Sequence, residues 1–221
     1  MGHQDQTDQS RRHFLIKAAC LSSVSITARH LAAQEPFDSL PASVWQNARR
    51  NGLIMIHRPT PSHLSRRTQI AANDEPGDPL IVAGQVFAPD GLVPAPGVTV
   101  YAYNTDAQGY YGENQKEYPP RIYGWMKTDA EGRFELRTIR PGCYPGMQVP
   151  AHIHFVLWEG GYPLQWTEQL EFEGDRYITR DALAKDALRG DFNTIQRLNR
   201  AEHDVLHCSI KIKLQRETNF H

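Results

Sequence analysis

Two histidines, His152 and His154, stand two residues apart in the run Pro150-Ala151-His152-Ile153-His154-Phe155. In an extended strand such residues point to one face with Cα atoms about 6.6 Å apart, so both imidazoles can reach one ion above that face. Zinc and copper sites are built this way, and histidines at the same spacing also occur on solvent-facing strands. The pair alone leaves both readings open. Two tyrosines lie upstream: Tyr144 in Pro141-Gly142-Cys143-Tyr144-Pro145, and Tyr111 at the end of Asp106-Ala107-Gln108-Gly109-Tyr110-Tyr111. Taken singly, a tyrosine in a β-protein packs in the core or at its rim with its hydroxyl satisfied.

The segments that must hold these side chains read as short strands. Residues 80–87 are apolar and run into the turn signal Pro89-Asp90-Gly91. Residues 98–103 alternate, with Val98, Val100 and Ala102 on one face and Thr99, Tyr101 and Tyr103 on the other. The turn Asp129-Ala130-Glu131-Gly132 precedes a strand with Phe134 and Leu136 on one side, and residues 153–158 and 167–172 continue the series. A last strand at 207–214 turns Cys208, Ile210, Ile212 and Leu214 inward, and residues 180–189 predict a helix. The 15 prolines and 16 glycines fall between these runs, which favours a strand-and-turn protein over a helical bundle. The predicted class is all-β, an antiparallel β-sandwich with short helical and irregular appended segments.

A chain of 221 residues suits one domain with a sizeable core and some appended pieces. The net charge of −1, with no Lys/Arg block beyond the N-terminus, gives no nucleic-acid footprint. Residues 1–33 read as an address: Ser10-Arg11-Arg12-His13-Phe14-Leu15-Ile16-Lys17 resembles a twin-arginine export motif and precedes a weakly apolar stretch. That stretch is too short and too polar for a permanent membrane span. The expected organisation is a signal at 1–33, an arm at 34–78 with a short helix near 43–50, and a β-sandwich catalytic domain at 79–221. The implied location is periplasmic or secreted, with the twin-arginine export machinery as a partner. Cys20 falls in the signal, which leaves Cys143 and Cys208 either bridged in an oxidising compartment or buried as free thiols.

The whole stretch from about Gly84 to Asp175 resembles the intradiol ring-cleavage dioxygenases, the family of catechol 1,2- and protocatechuate 3,4-dioxygenases. The matching pieces include Gly84-Gln85-Val86, Pro94-Ala95-Pro96-Gly97-Val98, Asp106 to Tyr111 and Thr128 to Phe134. They continue through Thr138 to Pro145, Pro150 to Phe155 and Thr167 to Asp175. The diagnostic part is the ordered set Tyr111, Tyr144-Pro145, His152-x-His154 and Gln169. The resemblance implies that Tyr111, Tyr144, His152 and His154 bind iron(III), with Tyr111 favoured over its neighbour Tyr110 by spacing from the Asp-x-x-Gly turn. It implies a small aromatic diol and O₂ as reactants, ring opening between the hydroxylated carbons, and a muconate-type dicarboxylate as product. Tyr144 is then the catalytic ligand that leaves when the diol chelates the iron, and Gln169 lies near the substrate. Iron(III) is a hard cation that prefers anionic oxygen and imidazole to thiolate, and its charge lets a phenol with a pKa near 10 ionise at neutral pH.

The chain departs from the family at Val149, three residues before the first histidine, where members commonly carry an arginine that stabilises charge on the bound ring. Either another cation, Arg121 or Arg140, serves as a substrate-binding residue, or the substrate does not need one. The long helical N-terminal dimerisation segment of catechol 1,2-dioxygenases is also missing, which points to compact single-module relatives; a homo-oligomer is compatible with the sequence. Two other classes compete: an exported β-sandwich binding module without turnover, and a zinc or copper site on the histidine pair.

Overall fold

The computed structural model describes residues 60–115 and 119–217. The signal with its Cys20 and the helix expected near 43–50 lie outside the described residues. Eleven strands and one α-helix form within them. The first sheet runs in the order β1 (Arg67–Gln69), β5 (Arg133–Ile139), β2 (Pro79–Phe87), β11 (Leu206–Lys213) and β10 (Asn199–Arg200). The second runs β4 (Ile122–Lys127), β3 (Thr99–Asn104), β6 (His152–Glu159), β8 (Leu170–Phe172) and β9 (Ile195–Gln196), and β7 (Tyr162–Trp166) also pairs with β6.

Period-two alternation builds the sandwich. Val82 and Val86 of β2, Phe134 and Leu136 of β5, and Ile210 and Ile212 of β11 face Val100 and Ala102 of β3, Ile153, Phe155 and Leu157 of β6, and Leu170 and Phe172 of β8 in one core. Fully burying each large apolar side chain contributes about 1.5–3 kcal/mol. β11 alternates as its sequence predicts, with Cys208, Ile210, Ile212 and Leu214 buried. The predicted helix is α1 (Arg180–Ala187), started by Thr179, whose hydroxyl accepts from the Ala182 N–H at 3.1 Å.

Several expectations need correction. The sheets are mixed rather than purely antiparallel, because β2 pairs with β11, β1 with β5 and β8 with β9 in parallel. A parallel pair needs a long crossover, and β2 and β11 have most of the domain between them. The irregular arm expected before residue 79 contains β1, an edge strand of the first sheet. Residues 167–169 lie outside any strand, and the paired segments are β7 and β8 on either side of them. Of the two alternatives open for Cys143 and Cys208, free thiols are what the structure has: Cys208 sits in the core and Cys143 donates to Asp175 Oδ2 at 3.4 Å.

β6 decides the placement of the site. Ile153, Phe155 and Leu157 fill the core, so His152 and His154 emerge from the opposite, outer face of the second sheet. The register puts Tyr103 of β3 opposite His154 and Tyr101 opposite Val156, while Tyr123 and Trp125 of β4 lie opposite Tyr103 and Tyr101. β3 is therefore buried on both sides, by the core and by an outer aromatic layer.

Candidate metal centre

Four side chains converge above the outer face of β6. The Tyr111 hydroxyl touches the Tyr144 hydroxyl and lies 2.8 Å from His154 Nε2. The Tyr144 hydroxyl is 2.8 Å from His152 Nε2 and 3.3 Å from His154 Nε2, and the two Nε2 atoms are 2.9 Å apart. His152 Nδ1 lies 2.7 Å from the Pro150 carbonyl oxygen. A carbonyl can only accept, so Nδ1 carries the hydrogen and Nε2 is the ring atom turned into the cluster.

Two loops bring the tyrosines to the strand. Asp106 shapes the first: its Oδ1 accepts from the Gln108 and Tyr110 N–H groups at 2.9 and 3.0 Å. The second loop locks onto it through the Gly142 N–H, which donates to Asp106 O at 2.8 Å, and the Thr105 hydroxyl, which donates to Gly142 O at 2.9 Å. Backbone meets backbone here: a Cβ at Gly142 would lie 2.5 Å from Ala107 O. Tyr111 is held further by its carbonyl, which accepts from the Arg121 N–H at 2.9 Å.

The imidazoles are packed as firmly. Tyr103 stacks on His154 with ring centroids 4.6 Å apart, and Trp166 of β7, on the other edge of β6, stacks at 6.0 Å. Burial, then the adjacent phenols, pushes the Tyr111 phenol well above its ordinary range. Burial, then His152, holds the His154 imidazole well below its own. Both shifts favour the neutral forms of Tyr111 and His154. Donors about 2.0–2.1 Å from one ion and at right angles to each other are about 2.9 Å apart, so these separations fit the edges of a coordination polyhedron. Phenol oxygen with imidazole nitrogen suits a hard, trivalent ion such as iron(III). Among the described residues, no group of three or more His, Cys, Asp or Glu side chains offers a second metal site.

Tyr111, Tyr144, His152 and His154 are thus brought together as the sequence predicts, and Tyr110 stays outside the cluster. Gln169 stands one residue before Leu170, which pairs with Ile153, so the register continued by one step leads to His154. Arg121 does not join the described cluster contacts: Glu75 grips its guanidinium at both ends, one contact being 2.6 Å, and Asp106 Oδ2 lies 3.4 Å away. Arg140 follows β5, its N–H donating to Asp78 O at 2.8 Å, and it too makes no described contact with the four ligand candidates. Sequence reasoning assigned no part to Tyr103, whose partner is set by strand register, or to Glu75, which lies in the expected arm.

A two-sheet sandwich carrying two phenols and two imidazoles on one sheet's outer face presents a donor set that could hold one metal ion. Residues 52–216 match the family described as Dioxygenase, and the chain belongs to the intradiol ring-cleavage dioxygenases. It is 32% identical over 123 residues to a protocatechuate 3,4-dioxygenase beta chain from Burkholderia cepacia, covering 50% of this chain and 52% of that one. It is 31% identical over 129 residues to a catechol 1,2-dioxygenase from Acinetobacter lwoffii, covering 49% and 40%. The chain therefore spans about half or less of the curated relatives it matches. Among solved structures it is similar to the dioxygenase domain of a dioxygenase–carbohydrate-binding protein fusion from Streptomyces sp. SirexAA-E. That match has 26% identity and a TM-score of 0.51, covering 72% of this chain and 94% of that one.

Proposed function

We propose that the protein is an iron(III)-dependent dioxygenase that opens a catechol-type diol between its hydroxylated carbons. The observation that carries this is the contact of the Tyr111 and Tyr144 hydroxyls with the Nε2 atoms of His152 and His154. Iron(III) held by these four groups supplies the Lewis-acid chemistry that lets a bound catecholate react with O₂. The chain's own residues divide the remaining work. Tyr111, 3% exposed and fixed through its loop, is the permanent phenolate. Tyr144, half-buried on a more open loop, would be the more easily displaced holder of the ion, and its Oη is placed to take a proton from a substrate hydroxyl. The Pro150 carbonyl fixes the tautomer of His152, while Tyr103 and Trp166 hold the His154 ring and keep water from its faces. Gln169, one step of register from His154, is the residue we assign to the diol ring. The resemblance of Ser10 to Lys17 to a twin-arginine motif supports export of this activity from the cytoplasm, to be tested by fractionation of cells carrying the Arg11→Lys, Arg12→Lys variant.

Iron(III)-loaded protein will be burgundy, with broad visible absorption that shifts when catechol is added. In an oxygen electrode it will consume O₂ and give a product whose mass equals substrate plus one O₂. Colourless iron-loaded protein, or no uptake with catechol, hydroxyquinol or protocatechuate, would sink the proposal. Val149, in place of the usual arginine, favours a second reading as a binding module. A colour shift without oxygen uptake would establish that reading instead.

A further inference from the structure

Asp175 is a buried acid in the turn after β8, 8% exposed, and no described salt bridge includes it. Its backbone is fixed on both sides: its N–H donates to Phe172 O at 3.1 Å and its carbonyl accepts from the Ile178 N–H at 3.0 Å. The carboxylate is fixed as well, because Oδ1 accepts from the Tyr177 N–H at 2.9 Å. The other oxygen, Oδ2, is shared. It accepts from the Ala151 N–H at 3.1 Å and from the Cys143 S–H at 3.4 Å. Ala151 immediately precedes His152, and Cys143 immediately precedes Tyr144.

One oxygen atom thus ties together the backbone leading into an imidazole ligand and the side chain next to a phenol ligand. The direct path between those ligands, residues 145–150, is held at its end by Pro150 O, which accepts from His152 Nδ1 at 2.7 Å, and is more open before it. Pro145, Gly146 and Gln148 are exposed, and the described backbone hydrogen bond there is Met147 N–H to Tyr144 O at 3.2 Å. We infer that Asp175 is a positioning residue that sets the spacing of Tyr144 and His152 through Cys143 and Ala151, an inference resting on the iron(III) reading above. The two arms differ in strength. The amide bond to the histidine side is the firmer, and the thiol is a weak donor, so His152 is anchored while the Tyr144 loop is only steadied.

The test uses the full-length protein loaded with iron(III). Asp175→Asn leaves one acceptor oxygen and turns an amide N–H₂ toward a donor. Cys143→Ala removes one arm alone, and Cys143→Ser restores a donor. We expect Asp175→Asn to shift the tyrosinate-to-iron(III) band and to speed ferric release to a chelator by about 10–100-fold, the usual effect of losing a residue that orients ligands. Cys143→Ala shifts the band with a melting change of no more than about 2–4 °C, and Cys143→Ser returns it to the wild-type position. A purely structural aspartate would alter melting and leave the band of folded protein unmoved. Wild-type band and release rate in both Asp175→Asn and Cys143→Ala overturn the inference. If Asp175→Asn does not fold, an unmoved band in Cys143→Ala overturns it alone. Colourless wild-type protein with iron bound would fail the dioxygenase reading itself and take this inference with it.

Discussion

A Cβ at Gly109 would lie 1.9 Å from the carbonyl oxygen of Cys143, and Gly109 holds a φ of +93°. Only a glycine lets the Tyr111 loop and the Tyr144 loop approach so closely, so this one contact controls whether the two phenols can meet. Gly109→Ala will strain the backbone and push the loops apart, at a cost of about 2–4 kcal/mol by urea denaturation. The folded fraction will lose its visible band. A variant with wild-type colour and midpoint would show that the interlock is dispensable.

Tyr103 and His154 test the aromatic support. Tyr103→Phe keeps the stack and will leave stability within about 1 kcal/mol, whereas Tyr103→Leu loses an aromatic contact of about 0.5–1.5 kcal/mol and leaves a cavity besides. Iron release to a chelator should quicken in the leucine variant only. Equal release from both variants would argue against a role for the ring face.

The ion pair between Glu75 and Arg121 ties the segment before β2 to the backbone that holds Tyr111. Glu75 is nearly buried and Arg121 about one-third exposed, side-chain exposures being 7% and 31%. Solvent screening on the arginine side limits the loss in Glu75→Gln to about 1–2 kcal/mol. A double-mutant cycle with Arg121→Met measures the coupling. Zero coupling energy would mean the pair does not stabilise the loop.

Burial pushes the Cys208 thiol up to about 12. Below the unfolded value near 8.5 both states hold the proton, and the contribution of this group is complete. Between about 9 and 12 the unfolded chain releases its proton while the folded one keeps it, so stability falls by up to ~1.4 kcal/mol per pH unit. Melting followed from pH 8 to 11 will show a steeper alkaline decline in the wild type than in Cys208→Ala. Identical slopes, or rapid labelling of Cys208 in native protein by a thiol reagent, would refute this.

Iron removal is the broadest check. An ion bound by the folded state alone stabilises it by about 4 kcal/mol when free ion is a thousandfold above Kd. Chelated protein should therefore melt lower and lose its colour together. Equal melting of the loaded and stripped forms would mean that the four-residue cluster holds no ion.

Much of this was legible in the chain. The apolar run of β2 and the alternation in β3, β5 and β11 set out the sandwich, because side-chain direction in a strand has a period of two whatever lies beyond it. The same period put His152 and His154 on one face, and the resemblance to the intradiol dioxygenases implied Tyr111 and Tyr144 as their partners. Contacts made across large sequence separations were not legible. That β2 would pair in parallel with β11, that Tyr103 would stand opposite His154, and that Glu75 would take the guanidinium of Arg121 all depend on register and loop closure. No local pattern encodes these. The residues themselves thus determined which atoms could bind a metal and which strand face would carry the imidazoles. Only tertiary structure decided that the phenols reach them, because that meeting depends on two loops joined through Asp106, Gly109 and Gly142.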